Sequence, residues 1–162
     1  MNIKELKRHI PYQWRVQSFS QNFPTAQCVA YIDSRDVQNL LDDVCGEENW
    51  QDDYKVLDKK LIAGIGIYNE KLAQWIWKWD TGTESNIEKE KGQMSDAFKR
   101  AAVKWGIGRF LYDLPIKIVK TNAIKDSNQQ QDPDKTYSKF PYVVDDSGKR
   151  VYDLTKHINS MK

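Results

Sequence analysis

Residues 61–80 read LIAGIGIYNEKLAQWIWKWD, and this stretch decides the fold. Leu61–Tyr68 is apolar and rich in β-branched side chains, while Gln74–Asp80 alternates with a period of two residues. Both patterns are typical of strands. Asn69–Lys71 is predicted to form the turn between them, and residues 50–57 are predicted to add an earlier strand. The sequence therefore predicts an antiparallel meander of three strands.

The last of these strands carries three of the six tryptophans of the chain. Because side chains alternate along a strand, Trp75, Trp77 and Trp79 are predicted to lie on one face, with Ile76 and Lys78 on the other. A tryptophan buries a large area and also stacks on nucleic-acid bases. These three are therefore predicted either to pack in a core or a subunit interface, which is the commoner use of such a face, or to stack on bases.

One helix is predicted before the strands in the sequence and another after them. In the first helix, Asp33 or Ser34 is the N-cap and Gly46 is the stop signal. Its apolar stripe recurs at i, i+3, i+4 and i+7 and consists of Val37, Leu40, Leu41 and Val44. The second helix covers residues 87–105, and Gly106 can terminate it. Its apolar stripe consists of Met94, Phe98, Ala101, Ala102 and Trp105.

The remaining patterns are weaker, and the boundary between the two predicted domains is derived from them. Tyr12–Phe19 is predicted to be extended, and residues 121–136 are polar and predicted to be a mobile linker. Residues 140–154 are predicted to form a hairpin around the turn sequence DDSG. We therefore predict a domain with an N-terminal arm over residues 1–115 and a C-terminal extension over residues 116–162.

The net charge of the chain is only +2, but it is distributed unevenly. Residues 1–60 carry eight Lys and Arg against ten Asp and Glu, whereas residues 88–120 carry eight against four. A local basic segment on a nearly neutral chain favours a confined anionic partner over general binding to polyanions. From charge alone, a solvated helix face is an equally good explanation.

Cysteine, histidine and hydropathy patterns argue against several classes of protein. Cys28 and Cys45 form no CxxC pair, and His9 and His157 lie near opposite ends of the chain, so no zinc site is expected. Free thiols fit a reducing compartment. The sequence contains neither an apolar run long enough to span a membrane nor a signal peptide. The protein is therefore expected in the cytoplasm.

The most informative segment is GQMSDAFKRAAVKWGIGRFLYDL, residues 92–114. Lys99, Arg100 and Lys104 must lie largely away from the apolar stripe and share a broad outward face, which suits a row of phosphates. Asp96 precedes Arg100 by four residues and can orient it through an ion pair. The same residues could instead only stabilise the helix, and the physics of the pattern does not decide between these interpretations.

This segment closely resembles the corresponding stretch of the Rad52/Rad22 family, especially its bacteriophage single-strand annealing members of the Sak type. The residues that carry the resemblance are Asp96, Phe98, Lys99, Arg100, Ala101, Ala102, Trp105, Gly106, Gly108 and Arg109. A second resemblance covers the first predicted helix, at Tyr31, Ile32, Asp33, Val37, Asn39, Leu40, Gly46 and Trp50. A third is the sequence QWRV at Gln13–Val16. Together they cover residues 12–115 in order and at compatible spacing.

The resemblance implies an α+β fold with a β-β-β-α core, in which an antiparallel three-stranded meander packs on a long helix, and assembly into an oligomeric ring. In the family, single-stranded DNA lies in a basic groove around the ring, and the Lys-Arg pair that lines it is Lys99 and Arg100 here. Arg35 stands near a second DNA-binding position, although Asp36 occupies the place where some relatives have the arginine. The candidate backbone contacts by charge and position alone are Arg15, Lys91, Lys104 and Arg109.

The resemblance implies that the protein binds single-stranded DNA and anneals complementary strands in recombination and repair, without acting as an enzyme. The chain lacks GxxxxGK(S/T), so neither ATP nor another cofactor is implied. Larger relatives bind a recombinase and a single-strand binding protein, and either is a candidate partner. No membrane contact is expected.

Three alternatives remain open at this stage. The chain could be a passive single-strand binding module, in which aromatic side chains in the groove hold the bases and keep them from pairing. It could be a metal-dependent nuclease that uses the acidic cluster at residues 42–53, although this cluster lacks EF-hand spacing and is better explained as a solvated surface. It could also be a structural oligomer with an incidental cationic helix face.

Overall fold

The structure is a computed structural model that describes residues 1–82, 89–127 and 131–161, with the backbone alone for residues 89–91. Its strands are β1 (Gln13–Phe19), β2 (Thr25–Tyr31), β3 (Trp50–Leu57), β4 (Lys60–Asn69), β5 (Gln74–Thr81), β6 (Lys117–Lys120), β7 (Ile124–Lys125) and β8 (Tyr137–Ser138). Its α-helices are α1 (Ser34–Cys45), α2 (Lys89–Lys104) and α3 (Leu154–Ser160). Short 3-10 helices cover Ile3–Lys7 and Arg109–Asp113. The fold is α+β, as predicted.

The chain forms two compact units. The first unit comprises Met1–Pro11 and Ile32–Asp113, and the second comprises Tyr12–Tyr31 and Leu114–Lys162. These units do not follow the predicted boundary at residue 115, because β1 and β2 belong to the second unit. The physical reason is that β2 pairs antiparallel with β6, a partner so distant along the chain that no local pattern reveals it.

The first unit is built on an antiparallel sheet with the order β3-β4-β5. Trp50 lies opposite Ile67, and Ile67 lies opposite Ile76, so these three side chains share one face. The turn between β3 and β4 places Asp58 and Lys59 at positive φ, of 53° and 65°, as two-residue hairpins require. The predicted meander is therefore confirmed, at almost the predicted strand bounds.

Helix α2 packs on one face of this sheet. Its buried side chains are Ala97, Phe98, Ala101 and Ala102, and the Phe98 ring lies 6.4 Å from the ring of Trp50. The sequence predicts Met94 on the buried stripe, but its side chain is 42% exposed, so that prediction is wrong. Periodicity gives the direction of a side chain and not the length of helix that the sheet covers. The predicted helix start at residue 87 lies outside the described residues.

Helix α1 begins and ends where the sequence predicts. The Asp33 carboxylate accepts the N–H of Asp36 at 2.9 Å, and the Asp36 carboxylate accepts the N–H of Asp33 at 2.9 Å, which completes a capping box. Gly46 ends the helix at a φ of +88°, a conformation that favours glycine. Asp36 is the residue that departs from the family motif, and it therefore has a structural role in this chain.

The second unit is built around an antiparallel sheet with the order β1-β2-β6. Its buried core consists of Trp14, Ala26, Cys28, Val119, Val143 and Ile158. Asp153 caps α3 by accepting the N–H of Lys156 at 3.0 Å, and the Thr155 hydroxyl of α3 accepts the N–H of Trp14 at 2.9 Å. The hairpin predicted over residues 140–154 consists of an antiparallel bridge between Val144 and Arg150, since the chain from Leu154 onward is helical.

Part of the predicted linker belongs to the fold of the second unit. Thr121, Ala123 and Ile124 are buried, and the Thr121 hydroxyl donates to the carbonyl oxygen of Ala123 at 2.8 Å. Strand β7 pairs in parallel with β8. Residues 121–125 are therefore ordered, because β-pairing satisfies a backbone that the polar sequence alone does not assign to a strand. Residues 128–130 lie outside the described part of the chain.

Two features of the structure concern the thiols and the membrane-spanning segments considered in the sequence. Cys28 and Cys45 are buried free thiols, and burial raises the pKa of both, that of Cys45 to about 11. They therefore pack as small apolar side chains and are poorly suited to nucleophilic chemistry. In the part of the chain that the structure describes, no helix has the length and apolarity needed to cross a membrane.

Candidate nucleic-acid interface

Three cations of the first unit gather at the C-terminal end of α2. The carbonyl oxygen of Lys104 accepts a guanidinium N–H of Arg109 at 3.0 Å and the ammonium of Lys78 at 3.3 Å. Arg109 Nε also donates to the carbonyl oxygen of Val103 at 2.8 Å. The last carbonyls of a helix lack partners within it and carry a partial negative charge, so they attract cations. The backbone geometry thus fixes Lys78, Lys104 and Arg109 around one helix end.

Strand β5 runs beside the same helix and holds two of the helix cations. The Lys104 ammonium donates to the carbonyl oxygen of Trp79. Arg100 Nε lies 3.8 Å from a carboxylate oxygen of Asp80, and the Arg100 side chain is 48% exposed. A long and partly exposed ion pair of this kind is weak. A phosphate can therefore compete with Asp80 for the guanidinium.

Lys78 joins this cluster, although the sequence analysis places it only on a strand face. It lies opposite Ile65, on the face that α2 covers, and its ammonium lies 4.5 Å from the centroid of the Trp105 ring. The Trp105 indole donates to the carbonyl oxygen of Ile65 at 2.9 Å, which fixes the ring beside the lysine. A lysine on the covered face of a strand needs a partner for its charge. The position of Lys78 beside Ile76 on one strand face is therefore the sequence signal that could have identified it.

Arg35 and Lys99 lie on the two helices of the first unit. Ser34 of α1 and Ser95 of α2 share a hydrogen bond of 2.7 Å between their hydroxyls. The exposed Arg35 follows Ser34 directly, and Lys99 follows Ser95 by about one helical turn, on the same side of α2. The hydrogen bond therefore keeps Arg35 close to the contact between the helices, near the side of α2 that carries Lys99.

The structure does not place two of the predicted site residues in this cluster. Arg15 belongs to the second unit, where its guanidinium carbon lies 5.4 Å from the ring centroid of Tyr31. The side chain of Lys91 lies outside the described residues. The roles of Arg15 and Lys91 stay predictions, as do those of the other predicted site residues.

The tryptophans of β5 lie on the sheet face opposite α2. Trp77 and Trp79 pair with Gly66 and Gly64 of β4, and the two indole rings are stacked with centroids 5.5 Å apart. A Cβ added to either glycine would come within 2.7 Å of the facing indole, so the glycines allow the rings to lie on the strand backbone. The Lys55 ammonium lies 4.6 Å from the Trp79 ring. This tryptophan face is therefore separate from the packing between the sheet and α2.

The acidic cluster at residues 42–53, which begins in the last turn of α1, has structural contacts. Asp42 accepts the indole N–H of Trp50 at 2.7 Å, and Asp43 forms an ion pair of 3.0 Å with Arg8. No group of three or more His, Cys, Asp or Glu that could hold a metal ion is found within the described ranges.

One half-buried phenol, that of Tyr54, lies next to this cluster. Burial raises the pKa of Tyr54 to about 12, and the neighbouring carboxylate of Asp52 adds to the shift. A phenol with this pKa keeps its proton at neutral pH and is a poor general base. Tyr54 therefore adds no acid–base chemistry to the acidic cluster.

The family model for Rad52/22 family double-strand break repair proteins matches residues 2–63 and 58–131, which is most of the chain. The chain belongs to the Rad52/Rad22 family. The matched residues include α1, the β3-β4-β5 meander and α2, so the cations at the end of α2 lie within the part of the chain that the family shares. The predicted family is therefore confirmed.

Two curated relatives are similar to this Rad52/Rad22 chain, and both are named single-stranded DNA-binding protein DdrA. The protein from Deinococcus radiodurans is 32% identical over 109 residues, which is 63% of this chain and 49% of its own length. The protein from Deinococcus deserti is 32% identical over 119 residues, which is 69% of this chain and 55% of its own length. The chain thus spans about half the length of the curated relatives it matches. No solved structure matches it.

Proposed function

We propose that this protein binds single-stranded DNA through the cations around α2 and anneals complementary strands without ATP, in homologous recombination and repair. The observation that carries the proposal is the gathering of Lys78, Arg100, Lys104 and Arg109 along the C-terminal part of one helix. We include Lys99 and Arg35 in the proposed surface, because they lie near the contact between α1 and α2 that the Ser34–Ser95 hydrogen bond marks.

Phosphate contacts explain how such a surface would promote annealing. Cations fixed on a helix hold the backbone at regular points without reading the bases, so binding is indifferent to sequence. The bound strand is extended and keeps its base edges free for a second strand. The free energy of annealing then comes from base pairing, and no nucleotide hydrolysis is needed.

The comparisons support this proposal at a coarser level. The family description names double-strand break repair, and the two relatives are named for single-stranded DNA binding. A protein with both properties needs a surface that tolerates any sequence. The cations at the end of α2 would meet that need, because contacts to phosphates carry no sequence information.

We also propose that copies of the chain assemble into a ring, as the family resemblance implies. The cations around one α2 contact only a few phosphates, whereas a ring would line up one such surface per subunit along a continuous strand. The tryptophan face of β5, where Trp75 is 37% exposed, is a candidate contact between copies, because aromatic side chains are enriched at subunit interfaces. Light scattering of the pure protein tests this assembly: a monomeric mass at micromolar concentration would contradict it.

The test of the proposed function is the annealing of two complementary, fluorescently labelled oligonucleotides without ATP or added metal. We expect the native protein to accelerate annealing and the double variant Lys99→Ala with Arg100→Ala to lose most of that acceleration. The matched control is Lys59→Asn with Lys60→Ala, which removes the same charge at the β3–β4 turn. Asn tolerates the positive φ of Lys59, so the control variant should keep its fold and its activity.

Each other outcome contradicts a defined part of the proposal. Tight binding without faster annealing would show a passive single-strand binding module. Equal loss in both double variants would show that net charge matters and that the α2 surface does not. Strand cleavage on adding magnesium would show a nuclease. Light scattering of each variant shows whether a loss of activity comes from the site or from the assembly.

A further inference from the structure

The second unit displays an exposed group of aromatic and basic side chains. The guanidinium carbon of Arg150 lies 4.5 Å from the ring centroid of Tyr142 and 5.0 Å from that of Tyr152. The ammonium of Lys125 lies 5.6 Å from the ring centroid of Phe140, two residues before Tyr142. These five residues are termed the aromatic–basic surface below.

An ordered backbone carries this surface. Tyr142 and Asn122 are joined by two hydrogen bonds, from the Asn122 N–H to the Tyr142 carbonyl at 2.9 Å and from the Tyr142 N–H to the Asn122 side chain at 2.8 Å. The N–H of Val151 donates to the carbonyl of Val143 at 2.9 Å, and Val143 belongs to the buried core of the second unit. The backbone that carries the aromatic rings is therefore ordered by the fold.

The two outermost aromatic rings pack very little against the rest of the unit. Phe140 and Tyr152 are each 85% exposed. Single exposed apolar side chains are common on protein surfaces and need no explanation. Here, however, the nearly uncovered ring of Tyr152 and the half-buried ring of Tyr142 share one cation, and the nearly uncovered ring of Phe140, two residues before Tyr142, lies beside a second cation. Aromatic rings alternating with cations are the pattern of proteins that hold unpaired bases.

The charge of the second unit fits an anionic partner. This unit contains ten Lys and Arg against six Asp and Glu, whereas the first unit contains fifteen against seventeen. Within the described residues, Arg150 forms no ion pair, and its contacts are with tyrosine rings. Its guanidinium therefore keeps hydrogen-bond donors for a phosphate while its faces lie against aromatic rings.

We propose that the aromatic–basic surface is a second contact for single-stranded DNA, which takes unpaired bases on Phe140 and Tyr152 and a phosphate on Arg150. The inference rests on the proposed function for the identity of the partner, but it assigns a different chemistry to a different unit. An acidic peptide would also complement the positive charge of this surface. However, rings with 85% of their surface in solvent form no walled groove to enclose a peptide side chain, whereas a planar base needs only a ring face.

The first test compares two ligands of equal charge, a labelled thymidine oligonucleotide and an abasic oligonucleotide of the same length. We expect Phe140→Ala with Tyr152→Ala to weaken binding of the thymidine strand by about tenfold or more, since loss of base stacking costs about 1–3 kcal/mol per base. Binding of the abasic strand should stay native. Tyr152→Phe keeps the ring and should restore native affinity at that position.

Phe23→Ala is the matched control, because Phe23 is a 64% exposed aromatic of the same unit without a cation–π contact in the described structure. It should bind both strands as the native protein does. Equal weakening by Phe23→Ala and by the Phe140/Tyr152 double variant would overturn the inference, since it would show a general loss of apolar surface. So would a double variant with native affinity for the thymidine strand, or one that loses only the binding of a labelled poly-aspartate peptide.

Photo-crosslinking separates failure of this inference from failure of the proposed function. An oligonucleotide with 5-iododeoxyuridine is crosslinked to the native protein, and the attached peptides are identified by mass spectrometry. We expect crosslinks at Phe140, Tyr142 or Tyr152. Strong binding with crosslinks confined to the first unit would overturn the inference and leave the proposed function standing. Absence of any binding of the oligonucleotide would overturn both.

Discussion

The two units of this chain display cations in different ways. In the first unit, Lys78, Lys104 and Arg109 are anchored to backbone carbonyls at the end of α2. In the second unit, Lys125 and Arg150 lie against aromatic rings. The first arrangement fixes charge at points along a helix, and the second combines charge with apolar ring faces. The first therefore suits phosphates, and the second suits bases.

This difference shows that the net charge of a unit does not tell where its cations gather. The first unit has more acidic than basic residues, yet it contains the cations gathered at the end of α2, within the stretch that the family model matches. Helix geometry concentrates its cations in one place while the acidic residues serve as caps and ion-pair partners elsewhere, as Asp33 and Asp43 do. The distribution of charge, and not its sum, carries the information.

The largest effect is expected from a substitution that removes the platform of the α2 surface. Phe98 is 1% exposed between α2 and the sheet, and Phe98→Ala should lower the free energy of unfolding by about 3–5 kcal/mol. Urea denaturation followed by tryptophan fluorescence measures it. The control Ile118→Ala removes a 53% exposed side chain in the second unit and should cost about 1 kcal/mol or less. Similar costs for the two variants would contradict the distinction between core and surface.

A smaller effect is expected where the tryptophans lie on glycine. Gly66→Ala places a Cβ within 2.8 Å of three atoms of the Trp77 indole, so the ring must move, at a cost of about 1–3 kcal/mol. The comparison is Gly148→Asn in the second unit, where no atom lies within 4 Å of an added Cβ and where asparagine tolerates a φ of +85°. Thermal denaturation should separate the two variants. An unchanged melting temperature for Gly66→Ala would show that the Trp77 ring is not held there.

An increase in affinity is expected from Asp80→Asn. This change removes the carboxylate that pairs with Arg100, so the guanidinium is released for phosphate and the affinity for single-stranded DNA should rise about threefold, given the weakness of exposed ion pairs. Asp58→Asn removes the same charge at the β3–β4 turn and should raise affinity less. Fluorescence anisotropy at fixed salt measures both. Equal increases would show a long-range charge effect without a specific role for Arg100.

The smallest effect concerns the turn beside the aromatic–basic surface. Hydrogen bonds from the Ser147 hydroxyl and from the backbone N–H of Lys149 hold the pKa of Asp145 below its usual range. The stabilisation is therefore fully present above the usual aspartate pKa and is lost as the pH falls through the folded pKa. NMR titration of the Asp145 carboxyl should show a midpoint below that of an unstructured aspartate. A midpoint at the ordinary value would contradict the turn geometry.

Local patterns predicted the fold of the first unit well. Alternation over β5, the apolar run of β4 and the caps of α1 each depend on neighbouring residues, and all three were found where the sequence placed them. The second unit was harder to predict because its order depends on pairing between distant segments. β2 and β6 pair only in the complete fold, because they lie far apart along the chain. The end of the predicted hairpin was read as a strand, whereas α3 begins there, at Leu154.

The candidate site was predicted in part, for a similar reason. Helical spacing gave Lys99, Arg100 and Lys104 on one outward face, and the family resemblance added the DNA-binding role of the Lys99–Arg100 pair. Lys78 was not predicted, because a strand pattern does not show which helix end lies above it. Nor was Asp80 predicted as the partner of Arg100, since an ion pair between helix and strand requires knowledge of their packing. The sequence therefore predicted the cationic face of α2, and the structure added the neighbouring strand β5.

The central claim is that the first unit binds phosphates and the second binds bases. The measurement that tests it most directly is the salt dependence of single-stranded DNA affinity for the native protein and the two double variants. Loss of Lys99 and Arg100 should make the log–log slope shallower by about 1.4, since each phosphate contact on a single strand contributes about 0.7. Loss of Phe140 and Tyr152 should lower affinity at every salt concentration and leave the slope unchanged. Equal slopes for all three proteins, or a change only in the aromatic variant, would contradict the account.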